Sequence, residues 1–257
     1  DLFGGELSPL LQQACQMQQS YPLSSEEASS LAARLSEGES VRSVIWSMLE
    51  ARRPKYLLGW RDICRATDER TVIAGLIPLS GVGNKFPLMN LGNDISPQLI
   101  AALVGCLGCL PYDFVARQKI GGTTLNYFYI KQFPTLSPEK FAHSDMEFIV
   151  PRILELTYTA NDLKPFAEDL GFQGEPFPFD PERRHNLKSE LDAYYAKLYG
   201  LTRDELRYIL DPADVMGEDY PSETFRVLIN KELKEFGEYR TQRLVLEAWD
   251  KLEAGTL

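Results

Sequence analysis

Strand-forming texture is confined to one short block of this chain, and helical spacing fills most of what lies on either side. "KYLLGWRDI" (55–63) and "RTVIAGLIPL" (70–79) are rich in β-branched and aromatic residues, the composition of a pleated, half-buried surface. "SGVGN" (80–84) between "LIPL" and "KFPLM" reads as a turn, because glycine and asparagine accept the tight backbone a turn requires. Upstream, "SSEEASSLAARL" opens with a serine cap and early acids. Val41, Val44, Ile45, Met48 and Leu49 then recur on one helical face until Pro54 ends the pattern. Past residue 90, "SPQLIAALVGCLGCL" is a helix with Ser96 as its cap and Pro97 in its first turn, and "PYDFVARQK" adds another turn or two. From "EKFAHSDMEF" to the end, apolar residues recur near every 3.6 positions, and Gly171 and Gly200 stand where helix C-caps belong. The expected fold class is α+β: a small mixed or antiparallel β region flanked by helices, followed by a mainly helical C-terminal part.

A chain of 257 residues can build one large domain or two small ones. The textures divide it into an N-terminal helical segment (1–53), a middle region holding the strands (54–138) and a helical C-terminal region (139–257). The chain starts at Asp1 without a methionine or a basic-then-apolar leader, and the expectation is a piece cut from a longer protein. Its longest apolar run, near "LIAALVGCLGCL", is too short to span a bilayer and reads as a buried helix, so no membrane is expected.

Catalytic chemistry is hard to assemble from these residues. Cys106 and Cys109 form a C-x-x-C, but zinc needs four ligands, and no second C-x-x-C or histidine pair exists. Both lie in an apolar run and read as inert buried thiols. With Cys15 and Cys64 they make four free cysteines, which point to the cytoplasm. His143 and His185 lack metal-ligand spacing and read as surface residues. Gly81-Val82-Gly83 lacks the third glycine and following helix of a dinucleotide site, and the acids of 211–219 do not match a calcium loop. "KELKEF" offers an acid-x-Lys element without the partner acids that a nuclease metal site needs.

Charge is more informative once it is divided. The chain carries a net −10. Residues 41–131 nevertheless hold eleven Lys/Arg against six Asp/Glu, a local +5, between an N-terminal segment at −5 and a C-terminal part at −10. At the end of the basic third runs "RQKIGGTTLNYFYIKQFP" (117–134), which has three cations, four aromatics and no acid. Lysine and arginine neutralise phosphates, and Thr and Asn side chains read base edges. A Gly121-Gly122 pair lets backbone N–H groups approach a phosphate. An amphipathic helix with Leu125, Phe128 and Tyr129 facing a core is the competing reading.

Two stretches tip the choice. "LLGWRDICRATDERTVIAGLIPLSGVGNKFPLM" (57–89) and "DFVARQKIGGTTLNYFYIKQFPTLSP" (113–138) resemble the C-terminal part of class I N6-adenine DNA methyltransferases of restriction-modification and phage-defence systems. "LDAYYAKLYGLTRDELRYILD" (191–211) is similar to the helical segment that closes such proteins. The resemblance covers roughly 54–257 and implies a target recognition domain with its helical extension. In that family an N-terminal catalytic domain binds S-adenosylmethionine and carries an Asn/Asp-Pro-Pro-Tyr/Phe motif. No Pro-Pro-aromatic occurs here, so the chain is expected to hold no cofactor and to be non-catalytic alone. The implied partners are double-stranded DNA and the missing methylase domain or other subunits of a defence complex. The candidate DNA-contacting residues are Arg61, Arg65, Arg70, Asn84, Lys85, Arg117, Lys119, Gly121, Gly122, Thr123, Thr124, Asn126 and Lys131. Arg61 with Asp62, or Asp68 with Arg70, can instead pair to brace the fold, and Trp60 and Phe133 read as core. The alternative from another class is a helical module that docks a methylase to a partner subunit.

Overall fold

A computed structural model describes residues 24–51, 53–91 and 95–257. The described residues fall into two compact units, one reaching to Pro54 and the other running from Lys55 to the C-terminus. Cys15 lies outside the described residues.

The first unit is a helical hairpin, α1 (Ser25–Ser36) and α2 (Val41–Ala51). Ser24 caps α1 in a reciprocal box with Glu27: the Glu27 N–H donates to the serine hydroxyl at 3.1 Å, and the Ser24 N–H donates to the Glu27 carboxylate at 2.8 Å. On α2 the expected apolar face turns inward, led by buried Val44, while Trp46 is exposed.

The second unit is α+β, as the textures imply. Strands β1 (Tyr56–Trp60), β2 (Ala74–Pro78) and β3 (Leu88–Met89) form an antiparallel sheet in the order β2-β1-β3. β1 is central, so the segment after β2 crosses to its other edge. Gly59 makes that crossing possible: a Cβ there would collide with the Phe86 ring and with the Pro87 carbonyl oxygen, which accepts from the Trp60 N–H at 3.1 Å. The crossing segment turns at Gly83–Phe86, closed by the Phe86 N–H on the Gly83 carbonyl at 3.0 Å, with Asn84 and Lys85 at the tip.

The rest of this unit is helical: α3 (Pro97–Gly108), α4 (Leu110–Lys119), the four-residue α5 (Tyr127–Ile130), α6 (His143–Thr157), α7 (Lys164–Asp169), α8 (Pro181–Leu198), α9 (Arg203–Leu210), α10 (Pro212–Met216), α11 (Arg226–Phe236) and α12 (Arg240–Glu253). Ser96 caps α3 and Pro97 opens it, as the sequence implies. α8 is the shared wall of two apolar cores. Its Leu191 and Tyr195 face the core under the sheet, with Trp60, Leu107, Ile149 and Phe166. Its Ala193 and Ala196 face a core of Leu206, Phe225, Val245 and Trp249. The strand-bearing and helical regions therefore share one interior, and the boundary drawn at 138/139 is a change of texture within one compact unit. Among the described residues no single helix is long and apolar enough to cross a membrane.

Candidate nucleic-acid interface

The strip at 117–134 is not one helix. It comprises the end of α4, an extended stretch at 120–126, the short α5, and buried Phe133. The extended stretch continues the sheet. Beyond Trp60, β1 keeps bonding to both neighbours: the Arg61 N–H donates to the Ile73 carbonyl at 2.9 Å, and the Asp62 N–H to the Lys85 carbonyl at 3.0 Å. The chain then pairs with the strip. The Cys64 N–H donates to the Thr123 carbonyl at 3.1 Å, the Leu125 N–H to the Asp62 carbonyl at 2.6 Å, and Ile63 faces Thr124 in an antiparallel bridge. Trp60, fully buried, locks this junction by donating its indole N–H to the Leu125 carbonyl at 2.6 Å.

This pairing sets Arg61, Asn84 and Lys85 beside Thr123, Thr124 and Asn126 on one exposed rim. Lys85 is anchored on the Asp62 carboxylate at 3.0 Å, and Arg61 lies 3.6 Å from Asp68. The bracing pairs are thus Arg61 with Asp68 and Lys85 with Asp62, not the near-neighbour pairs that the sequence suggests. Arg65, Lys119 and Lys131 are exposed and, among the described residues, make no ion pair. Gly121 and Gly122 are exposed, neither has a positive φ, and a Cβ at either would meet nothing within 4 Å. The fold itself makes no demand for glycine at either place.

Two candidates turn away from the rim. Arg117 is buried, 7% exposed, and its guanidinium makes its hydrogen bonds inside the protein. Its Nε donates to Asp113 at 2.9 Å, and its terminal nitrogens donate to the carbonyls of Ala66 (2.9 Å), Glu69 (2.8 Å) and Thr224 (2.6 Å). The plane of the group lies over the Phe225 ring at 4.4 Å. Asp113 in turn accepts from the N–H groups of Thr71 and Val72 at 3.0 and 2.6 Å. A DNA contact by Arg117 is corrected to an internal brace that shapes the 65–72 loop carrying Arg65. Arg70 is half-buried and donates to the Gly108 carbonyl at the junction of α3 and α4.

Asn126 has a structural duty as well. Its Oδ1 caps α5, accepting from the N–H groups of Phe128 at 3.0 Å and Tyr129 at 3.3 Å, so the carboxamide NH2 is what it can offer a ligand. The competing reading of the strip, with Leu125, Phe128 and Tyr129 facing a core, holds for Leu125, which is fully buried, and for Tyr129, which packs half-buried against the core, and fails for Phe128, which is 70% exposed. Sequence reading missed Phe128 as a surface group. The available signal was the Asn126 cap, which starts a new helix and resets which side faces out.

No family model, curated protein or solved structure matches this chain.

Among the described residues no cluster of three or more His, Cys, Asp or Glu could hold a metal ion. Burial pushes the Cys64 thiol up to about 11 and raises Cys106 and Cys109 as well, so these sulfurs are poor nucleophiles at neutral pH. The rim of Arg61, Asn84, Lys85, Thr123, Thr124 and Asn126 presents cations, amides and hydroxyls.

Proposed function

We propose that this chain is the sequence-specific DNA recognition module of an N6-adenine DNA methyltransferase in a restriction-modification or phage-defence system. A separate methylase domain would bind S-adenosylmethionine and perform the transfer. The observation that carries the reading is a 25-residue stretch without an acid, 114–138, fastened to the sheet so that Lys119 and Lys131 stay unpaired beside the Thr123–Thr124–Asn126 edge. Extracting an adenine from the stack costs a few kcal/mol, and a partner surface must hold the duplex in register meanwhile. Phosphate-facing lysines supply position, and the hydroxyls and amide supply base contacts. DNA as ligand and three buried free thiols are both at home in the cytoplasm, where this reading puts the protein.

Fluorescence anisotropy with labelled duplexes between 50 and 200 mM salt tests the proposal. Expected is a log–log slope of about −0.9 per phosphate contacted, with two or more contacts. Absence of duplex binding at 50 mM salt would sink it. A second reading rests on α11, where Leu233 and Phe236, three residues apart on one face, are both exposed. On that reading the helical part docks a methylase to a partner subunit, with a salt dependence far shallower than that of DNA.

A further inference from the structure

Phe128 has the most exposed of the large hydrophobic side chains among the described residues. Phe179 is nearly as exposed, but its ring carries the Arg184 guanidinium at 4.6 Å. Phe128 has only the edge of its neighbour Tyr129, 5.7 Å between centroids. Its backbone is held from several directions. The Phe128 N–H donates to the Asn126 side chain at 3.0 Å, and the Phe128 carbonyl accepts from the Gln132 amide at 3.0 Å. On one side Tyr127 donates its hydroxyl to the Leu88 carbonyl at 2.9 Å and sets its ring against Trp60 at 4.9 Å. Buried Leu125 and Phe133 pin the chain before and after. A large aromatic ring is thus presented outward on a fixed mount, so little conformational freedom is lost when it meets a partner.

The surroundings of the ring select that partner. No acid occurs from 114 to 138, and the nearest cations in sequence, Lys131 and Lys119, have no ion-pair partner. A flat apolar group in an acid-free segment, with unpaired cations before and after it in the chain, suits the layered structure of DNA, with stacked bases flanked by phosphates. We infer that Phe128 enters the duplex at a base step as an apolar wedge when the strip docks, an inference that rests on the duplex-recognition reading above. Wedge insertion unstacks one step, and pyrimidine–purine steps yield most readily, so a TA or CA step is expected at the insertion point. The wedge then contributes specificity without a hydrogen bond to any base.

The test starts from a duplex enriched by the wild-type 257-residue chain from a randomised library, with 2-aminopurine replacing successive adenines. Expected is a rise in 2-aminopurine fluorescence at one step on binding. Phe128→Ala should abolish that rise and weaken binding about tenfold or more, while leaving the salt slope unchanged, since the ring neutralises no phosphate. Phe128→Trp should keep both the rise and the affinity. Because the ring is exposed, the thermal midpoint of Phe128→Ala should match the wild type, which keeps the comparison free of unfolding. A Phe128→Ala chain that binds as tightly as the wild type, or leaves the fluorescence rise in place, overturns the wedge and leaves recognition standing. A library from which the wild-type chain enriches nothing overturns recognition and wedge together.

Discussion

The arginines of the helical part and the cations of the strip are held differently. Seven of the eight arginines in 139–257 bridge a carboxylate: Arg152 with Glu190, Arg183 with Glu155, Arg203 with Asp250, Arg207 with Asp214, Arg226 with Glu223, Arg240 with Glu182 and Arg243 with Glu238. The eighth, Arg184, donates to the Leu156 carbonyl and covers Phe179. In the strip and its neighbouring loop, Arg65, Lys119 and Lys131 have no such partner. Among the described residues Lys140, Lys188, Lys234 and Lys251 of the helical part also make no ion pair, so the contrast is one of arginines, and local charge density alone does not tell an engaged cation from a free one. Arg117 and Lys119 show this within one helix. Two residues apart, they lie on nearly opposite faces of α4, one buried on Asp113 and one exposed.

The largest effect expected from breaking that contrast is at Arg117. Removing it leaves Asp113 buried and short of its main partner, and frees the three carbonyls that hold the 65–72 loop and Thr224. Arg117→Ala should cost about 3–5 kcal/mol in urea unfolding. A loss under about 1 kcal/mol would show that the brace is dispensable and that Arg117 belongs with the surface cations.

Buried acids sharpen the comparison. Asp113 has a guanidinium; Asp192 is buried at the α8 wall, where its Oδ1 accepts from the Leu110 N–H at 2.6 Å. Burial pushes the Asp192 carboxyl up to about 6, with Arg70 and Lys188 pulling it down and Asp113 raising it. Its folded pKa exceeds the unfolded value of about 3.9. The stability tied to its proton is therefore full below about pH 4 and lost as pH rises through about 6. Asp192→Asn keeps an acceptor for Leu110 and carries no charge, so it should gain about 1–3 kcal/mol at pH 8 and little at pH 4. Burial lowers the His185 pKa, so its contribution runs the other way, full above about 6.5 and lost below. A pH-independent effect of Asp192→Asn would show that the site is better solvated than its burial implies.

The fold class was legible because the signals were local. The Ser96-Pro97 start, the Ser24 cap and the β-branched block at 55–63 and 70–79 each act within a few residues. The site was less legible because its assembly is non-local. The 62–64 and 123–125 segments pair across some sixty residues, and neither shows the alternation that announces a strand. Arg117 was misread from composition, although its direction was available. Asp113 and Arg117 stand four apart on the same face as Ala116 and Ile120, and an acid one turn before an arginine on an apolar face marks an internal pair.

Asn126 separates support from recognition. Asn126→Ala removes the α5 cap and should cost about 1 kcal/mol of stability. Asn126→Ser can still cap but has no amide donor, so it should keep that stability and still lose about 1–3 kcal/mol of binding at the preferred duplex. Equal affinity for Asn126→Ser and wild type would confine the residue to its cap.

Lys119 should give the smallest effect on the fold and, on the duplex-recognition proposal, the cleanest one on DNA. It is exposed at the end of α4 and makes no ion pair, so Lys119→Ala should change stability by less than about 0.5 kcal/mol. If the residue meets a phosphate, the variant weakens binding to every duplex alike and reduces the salt slope by about one unit. Lys251 is the matched control, an exposed lysine in the last turn of α12 that lacks an ion pair but sits among the acids of the helical part. Lys251→Ala removes the same charge from the same protein, so net charge alone would shift both variants equally. A slope change confined to Lys119 locates the DNA on the strip. The same change in both would mean that duplexes respond to the total charge of the molecule and that the strip has no special claim on them.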